Sequence, residues 1–144
     1  MSKLLALDIG DEWTGIAITD ALQMIARPCT TSKTSELLSK LECLITQEKI
    51  EEIVIGYPIT LKGKESAQTI KVLSKKDELE KYFRDISFVL WDERLSSKRA
   101  GAISKPGFYK DKQEKLKEHA KAAAFILDSY LNYLKIKRDD ISQT

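Results

Sequence analysis

The alternation of apolar and polar residues along the chain predicts five strands and four helices. Apolar runs bounded by turn-forming or charged residues predict the strands, over residues 3–9, 15–20, 23–31, 52–56 and 87–91. Apolar residues at helical spacing predict the helices, over residues 34–48, 65–83, about 95 to a break near 105–107, and 113–135. Three strands followed by alternating helices and strands are typical of an α/β fold with a mixed sheet.

Length and composition indicate one globular domain. The 144 residues suffice for a hydrophobic core, and 42% hydrophobic with 32% charged residues is ordinary for such a protein. We predict a domain over residues 1–137 and a frayed polar tail over 138–144. Cys29 and Cys43 lie far apart, which indicates reduced thiols and excludes a structural zinc site. Since the sequence has neither a bilayer-spanning apolar run nor a signal peptide, we expect a cytoplasmic protein with no membrane partner.

Two predicted strands end on carboxylates. The first apolar run leads to Asp8, which a turn with Gly10 and Gly15 follows, and the fifth strand leads to Asp92 and Glu93. An unpaired buried carboxylate costs several kcal/mol, and open α/β sheets bind ligands at the carboxyl ends of their strands. Asp8 and Glu93 together therefore predict a hard divalent cation, Mg²⁺ or Mn²⁺. The alternative is that each acid only caps the turn or helix after it.

Neighbouring residues of a strand point to opposite faces of the sheet, so at most one of Asp92 and Glu93 is expected to bind the metal. Asp92 is the better candidate for a pair with Arg94 or for a helix cap. We therefore assign the predicted ligand to Glu93.

Several short motifs resemble the YqgF family in order and spacing. They are Asp8-Ile9-Gly10, Gly15–Asp20, Ala26-Arg27-Pro28, Ile53–Pro58, Lys62–Glu65, Trp91–Ser96 and Ala122–Leu131. The resemblance implies a ribonuclease-H-like fold, a central five-stranded mixed sheet flanked by helices. It also implies a relationship to Holliday-junction resolvases and a link to maturation of the 5′ end of pre-16S ribosomal RNA. On this basis the chain is expected to be a metal-dependent nuclease with Asp8 and Glu93 as acidic ligands.

The third acidic residue that the family pattern implies is absent from this chain. Where the family has an aspartate before the alanine-rich helix, this chain has His119, its only histidine. At about 100° per residue, His119 lies about 60° from the centre of the apolar stripe of the last helix, at the rim of the core. A neutral imidazole binds metals or transfers protons, and it suits Mn²⁺ better than Mg²⁺. The alternative is a rim histidine bonded to a backbone carbonyl.

Two further points complicate the expected site. The family carries Lys-Arg in the first turn, where this chain has Glu12 and Trp13, so the turn attracts phosphate less strongly; Trp13 either stacks on a base or packs against the hairpin. The ribonuclease-H-like sheet also places its fourth strand beside the first. Glu93 then starts about 10 Å from the strand of Asp8, because adjacent strands lie about 4.8 Å apart.

Positive charge is concentrated between residues 94 and 121, where nine Lys and Arg against three acids give +6 in a chain of net charge +2. We expect this segment to bind the phosphates of a nucleic acid. The candidate residues are Arg94, Lys98, Arg99, Lys110, Lys112 and Lys115. The alternative is a solvated helical face with ordinary i,i+4 ion pairs.

The resemblance to the YqgF family implies a hydrolase that processes the 5′ end of pre-16S ribosomal RNA during ribosome biogenesis. Its expected partners are structured RNA and the ribosomal precursor particle, and it is expected to be a monomer or homodimer. One alternative is an endonuclease acting on a DNA Holliday junction, and another is a module that binds nucleic acid without cutting. A sugar-kinase or actin-like phosphate site is disfavoured because that fold needs two such domains.

Overall fold

Five strands and three α-helices form the structure, a computed structural model that describes residues 2–58, 66–92 and 112–142. The strands are β1 Lys3–Ile9, β2 Trp13–Thr19, β3 Ala26–Lys33, β4 Ile50–Tyr57 and β5 Ser87–Asp92. The α-helices are α1 Leu37–Glu48, which a 3₁₀ turn over Thr34–Glu36 precedes, α2 Ala67–Tyr82 and α3 Lys112–Ser142. The predicted helix from about residue 95 lies outside the described residues.

The strands form one mixed sheet in the order β3-β2-β1-β4-β5. β1 is antiparallel to β2, and β2 to β3, whereas β1 with β4 and β4 with β5 are parallel. The predicted α/β fold with a five-stranded mixed sheet is therefore confirmed. β4 separates β1 from β5, as the ribonuclease-H-like arrangement requires.

Helices cover both faces of the sheet. Leu5 and Leu7 of β1 belong to the hydrophobic core that packs against α1 and α2. Leu4 and Ala6 belong to a second core, formed with α3. Because side chains alternate along a strand, Asp8 shares the face of Leu4 and Ala6, the face that α3 covers.

The third strand starts later than predicted, at Ala26, because residues before it form a turn. The Asp20 carboxylate accepts hydrogen bonds from the backbone N–H groups of Met24 at 2.8 Å and Ile25 at 3.0 Å. Gln23 adopts a left-handed conformation with φ of 56°. These bonds hold the connection in a turn, so the strand cannot begin at residue 23.

The last helix ends later than predicted. α3 continues to Ser142, so residues 138–142 are helical rather than a frayed tail. No glycine or proline occurs in the sequence after Lys112 to stop the helix. Among the described residues, no helix has the length and apolarity needed to cross a membrane.

Candidate active site

Asp8 lies at the carboxyl end of β1, which is one of the three parallel strands β1, β4 and β5. It is half-buried and faces the α3 side. Across the antiparallel pair it stands in register with Gly15 of β2, and Gly15 in turn pairs with Thr31 of β3. Asp8, Gly15 and Thr31 thus form one row across three strands.

Gly15 allows α3 to approach this row closely. A Cβ atom at Gly15 would lie 1.8 Å from the carbonyl oxygen of His119 and 2.3 Å from its carbonyl carbon. Real Cβ atoms do not come so near, so only glycine fits between the sheet and the helix here. The main chain at His119 therefore lies against the strand position that pairs with Asp8.

His119 is half-buried, which agrees with the rim position that the helical arithmetic predicts. The structure places Asp8 of β1 and His119 of α3 near the same end of the strands, the end where β1 runs out and β2 begins. Glu118 is about one-third exposed and pairs with Lys121 at 3.4 Å on the helix surface. The expectation that His119 binds a metal stays a prediction.

Glu93 lies outside the described residues, but the strand that leads to it is well fixed. The Trp91 indole N–H donates a hydrogen bond of 3.0 Å to the Ser129 hydroxyl of α3. The Trp91 ring also packs edge-on against Tyr130, with ring centroids 5.3 Å apart. The carboxyl end of β5 is thus attached to the helix that carries His119.

β4 lies between the two strands that end in the predicted ligands. Gly56 of β4 pairs with Trp91 and follows Val54 on the α3 face. β1 and β5 are separated by two strand spacings, about 10 Å. Because Gly56 has no side chain, β4 contributes no ligand at this level on the α3 face.

The chemistry of these positions fits a divalent cation. Within residues 2–58, 66–92 and 112–142, no three His, Cys, Asp or Glu side chains come together as a complete metal site. Two of the three predicted ligand positions, Asp8 and His119, nevertheless lie at one edge, and the third, Glu93, falls outside these ranges. Carboxylate oxygen and imidazole nitrogen are donors that Mn²⁺ accepts.

The turn between β1 and β2 is held by Thr34, the first residue of the 3₁₀ turn that follows β3. The Thr34 hydroxyl donates a hydrogen bond of 2.7 Å to the carbonyl of Gly10, and its N–H donates one of 2.9 Å to the carbonyl of Glu12. The hydroxyls of Thr14 and Thr34 lie 2.9 Å apart. Within the turn, the Gly10 N–H donates to the Trp13 carbonyl at 3.0 Å.

Helix α2 holds the same turn from the other side, a contact that sequence reasoning missed. The Gln68 amide donates a hydrogen bond of 2.9 Å to the carbonyl of Ile9, the residue after Asp8. One helical turn later, Lys71 pairs with the exposed Asp11 at 2.9 Å. The i,i+3 spacing places Gln68 and Lys71 on one face of the helix. Nothing in the neighbouring sequence indicates that this face contacts the turn after β1.

The other predicted site residues are only partly described. Glu12 is exposed and Trp13 is half-buried, so both interpretations of Trp13 stay open. Lys115 is exposed on α3, and of Lys112 only the backbone is described. The remaining candidate phosphate-binding residues lie outside the described residues: Arg94, Lys98, Arg99 and Lys110.

Comparison with known proteins gives a consistent result. The profile of the RuvX (YqgF) family, described as Holliday junction resolvase, matches residues 2–133. A Rubrobacter xylanophilus protein provisionally named a pre-16S rRNA nuclease is 36% identical over 129 residues, covering 90% of this chain and 91% of its own. A Phocaeicola vulgatus protein with the same provisional name is 35% identical, covering 94% of this chain and 99% of its own.

Among solved structures, RuvC of Thermus thermophilus in complex with a Holliday junction substrate has the same fold. Its TM-score is 0.58 at 9% identity, over 94% of this chain and 96% of that chain. The likeness confirms the ribonuclease-H-like fold. The profile match confirms the family that the sequence motifs indicate.

Proposed function

The chain belongs to the RuvX family of Holliday junction resolvases, and on this basis we propose that it is a divalent-metal-dependent nuclease acting on the 5′ end of pre-16S ribosomal RNA. The observation that supports this best is the position of Asp8. Its carboxylate stands at the end of β1, on the face and at the level where Gly15 admits the main chain of His119. The substrate follows the provisional names of the relatives, which refer to pre-16S rRNA.

We assign the metal ligands to Asp8 and Glu93, with His119 as a third ligand or as a proton carrier. A bound divalent ion would supply an activated water and stabilise the leaving oxygen of a phosphodiester. Asp8 contributes a carboxylate from β1, and the hydrogen bonds that hold the neighbouring turn keep its backbone in place. The phosphates of the substrate are held by the basic residues proposed above, among them the exposed Lys115.

The proposal extends to a cytoplasmic enzyme that meets its RNA within a ribosomal precursor particle, as a monomer or homodimer. Cleavage of a DNA Holliday junction is the second candidate, favoured by the description of the RuvX family. A homodimer would suit that substrate, because two symmetric cuts need two sites.

Asp8→Asn tests the proposed nuclease site. A labelled precursor RNA spanning the mature 5′ end and a labelled four-way DNA junction are incubated with the protein and Mn²⁺ or Mg²⁺. Since loss of an outer-shell partner already costs about 10- to 100-fold, loss of a direct ligand is expected to slow cleavage at least about 100-fold.

The matched control is Asp11→Asn, which makes the same change at an exposed carboxylate of the neighbouring turn. This variant should cleave within about twofold of the wild type, because exposed ion pairs contribute little. Equal cleavage by Asp8→Asn and wild-type protein would show that the site is assigned wrongly. The substrate that is cut identifies the RNA or the junction as the target.

A further inference from the structure

A groove runs between the edge strand β3 and the first half of α3. It has a volume of about 500 Å³. Residues 28–31 form its β3 side, and Leu116, Lys117, Ala120 and Lys121 form its α3 side. A smaller hollow of about 200 Å³ shares Pro28 and Lys121 with the groove and continues it along the helix to Asp128. From residue 116 to residue 128 the helix advances about 18 Å, so the surface is elongated.

The groove begins on the strand row that contains Asp8. Thr31, which lines it, lies in the same row as Gly15 and Asp8. The Thr31 hydroxyl donates a hydrogen bond to the Leu116 carbonyl, which joins β3 to α3 at this end. Asp8 is two strand spacings away, about 10 Å, and α3, which rests on Gly15, lies between Asp8 and the groove. A strand that is cut at Asp8 therefore reaches the groove over the outer surface of α3.

The chemistry of the groove suits a nucleic-acid strand. Lys117 and Lys121 are exposed at its rim, and Leu116, Ala120 and Pro28 give it an apolar wall. Phosphates pair with lysines, while bases and sugars pack on apolar surface. Lys121 also contacts Glu118 at 3.4 Å, but an exposed pair of this kind contributes little and is readily exchanged for a phosphate.

Among the described residues that line the groove and the smaller hollow, the one acidic residue is Asp128, at the end farthest from Asp8. Asp128 lines the smaller hollow, about 10 Å along the helix from Lys121 and about 16 Å from Lys117. The positive charge is thus at the end nearest the proposed site. This polarity favours a strand that leaves the site and loses its phosphate contacts with distance.

The edge of β3 is poorly suited to the other elongated occupant, a protein strand. Pro28 has no N–H to donate, and in an edge strand the missing donor is on the open side. The pairing of β3 with β2 also shifts between Thr30 and Pro28, which leaves Cys29 as an extra residue. Prolines and bulges are features that prevent edge strands from pairing with another chain.

We propose that the groove between β3 and α3 binds a single-stranded flank of the nucleic-acid substrate, with Lys117 and Lys121 on its phosphates. This inference rests on the proposed nuclease function and adds the path that the substrate takes away from Asp8. The flank is recognised by the charge of its phosphates and by contact of its bases with the apolar wall, without regard to sequence.

The test is binding of a fluorescent single-stranded RNA in chelator, so that no cleavage occurs. The variant is Lys117→Ala with Lys121→Ala, and the control is Lys135→Ala with Lys137→Ala, two exposed lysines of the same helix at least about 21 Å from Lys121. Each phosphate contact on a single strand contributes about 0.7 to the salt slope, so the groove variant should lose about 1.4 from the slope of log K against log salt. The control should keep the wild-type slope.

Equal losses in both variants, or no loss in either, would overturn the inference. Because binding in chelator does not need catalysis, the result is independent of Asp8→Asn. Cleavage that depends on Asp8 with unchanged groove binding would remove only the groove inference.

Discussion

At the scale of single residues, His119 stands where the resemblance to the family implies an aspartate. Its carbonyl group lies against Gly15, so the backbone position is set by close packing of the main chain. The side chain at position 119 can therefore change without moving the helix. A substitution at position 119 therefore changes the atom proposed to bind the metal, while the contact between the helix and Gly15 stays the same.

His119→Asp tests what this exchange does to the metal preference. Mg²⁺ prefers oxygen ligands, whereas imidazole suits Mn²⁺ better. The aspartate variant is expected to raise the ratio of cleavage rates in Mg²⁺ to those in Mn²⁺ by about tenfold. The measurement is single-turnover cleavage of the precursor RNA over a titration of each metal.

The control for this exchange is His119→Ala, which supplies no donor atom. Alanine should raise the Mg²⁺ to Mn²⁺ ratio less than aspartate does, with slower cleavage in both metals. If the Asp and Ala variants have the same ratio, position 119 contributes no ligand and His119 is a rim histidine.

At the scale of secondary-structure elements, α2 has a positioning function that is separate from its part in the core. Its buried side chains, Val72 and Leu79, pack under the sheet, while its first turn reaches the end of β1. Gln68 bonds the carbonyl of Ile9 in a partly buried place, and Lys71 pairs with Asp11 at the surface. The two contacts differ in burial, so they are expected to differ in effect.

Gln68→Ala is expected to lower the cleavage rate about tenfold, with little change in KM. The hydrogen bond itself contributes about 1 kcal/mol, but a displacement of about 1 Å at a reacting group costs up to about 100-fold in rate. Lys71→Ala is the control and should stay within about twofold of the wild type, since exposed ion pairs contribute little. Equal rates for the Gln68 and Lys71 variants would contradict a positioning role. Single-turnover kinetics at saturating metal separates the rate from binding.

The elements also show where sequence reasoning succeeds. β1, β2 and β4 each contain four consecutive buried residues, most of them apolar, and this pattern predicts the strands well. β3 has the polar sequence ARPCTTSK and lies at an edge, so its start is predicted wrongly. The position of Asp8 at a strand end follows from the local pattern. The Gln68 contact does not, because it joins residues 59 positions apart and depends on the tertiary fold.

At the scale of the whole molecule, α3 crosses the sheet from β3 to β5. Leu116 bonds Thr31 of β3 and His119 lies against Gly15 of β2, whereas Tyr130, about 16 Å along the helix from His119, packs against Trp91 of β5. Tyr130 donates a hydrogen bond of 3.0 Å to Glu52, which pairs with Leu4 near the start of β1. Because α3 is one continuous helix, its attachment at Tyr130 also holds the residues near the proposed site.

Because of this attachment, the stability of the fold is expected to decrease at alkaline pH. Burial of the Tyr130 hydroxyl, and next the negative charge of Glu52, raise the pKa of Tyr130 above its ordinary value of 10.0. The folded protein then holds the phenol proton more tightly than the unfolded chain does. The stabilisation is therefore fully present below about pH 10 and decreases as the pH rises above that value.

Tyr130→Phe should remove this dependence. The variant is expected to be less stable than the wild type at pH 7, because Glu52 loses its hydrogen bond, and to lose less stability between pH 9 and pH 11. Urea unfolding at several pH values measures both effects, with Tyr133→Phe as the control at a neighbouring, 44% exposed tyrosine. The control should follow the wild-type curve. If Tyr130→Phe loses stability above pH 10 as steeply as the wild type, Tyr130 does not couple the packing of α3 to pH.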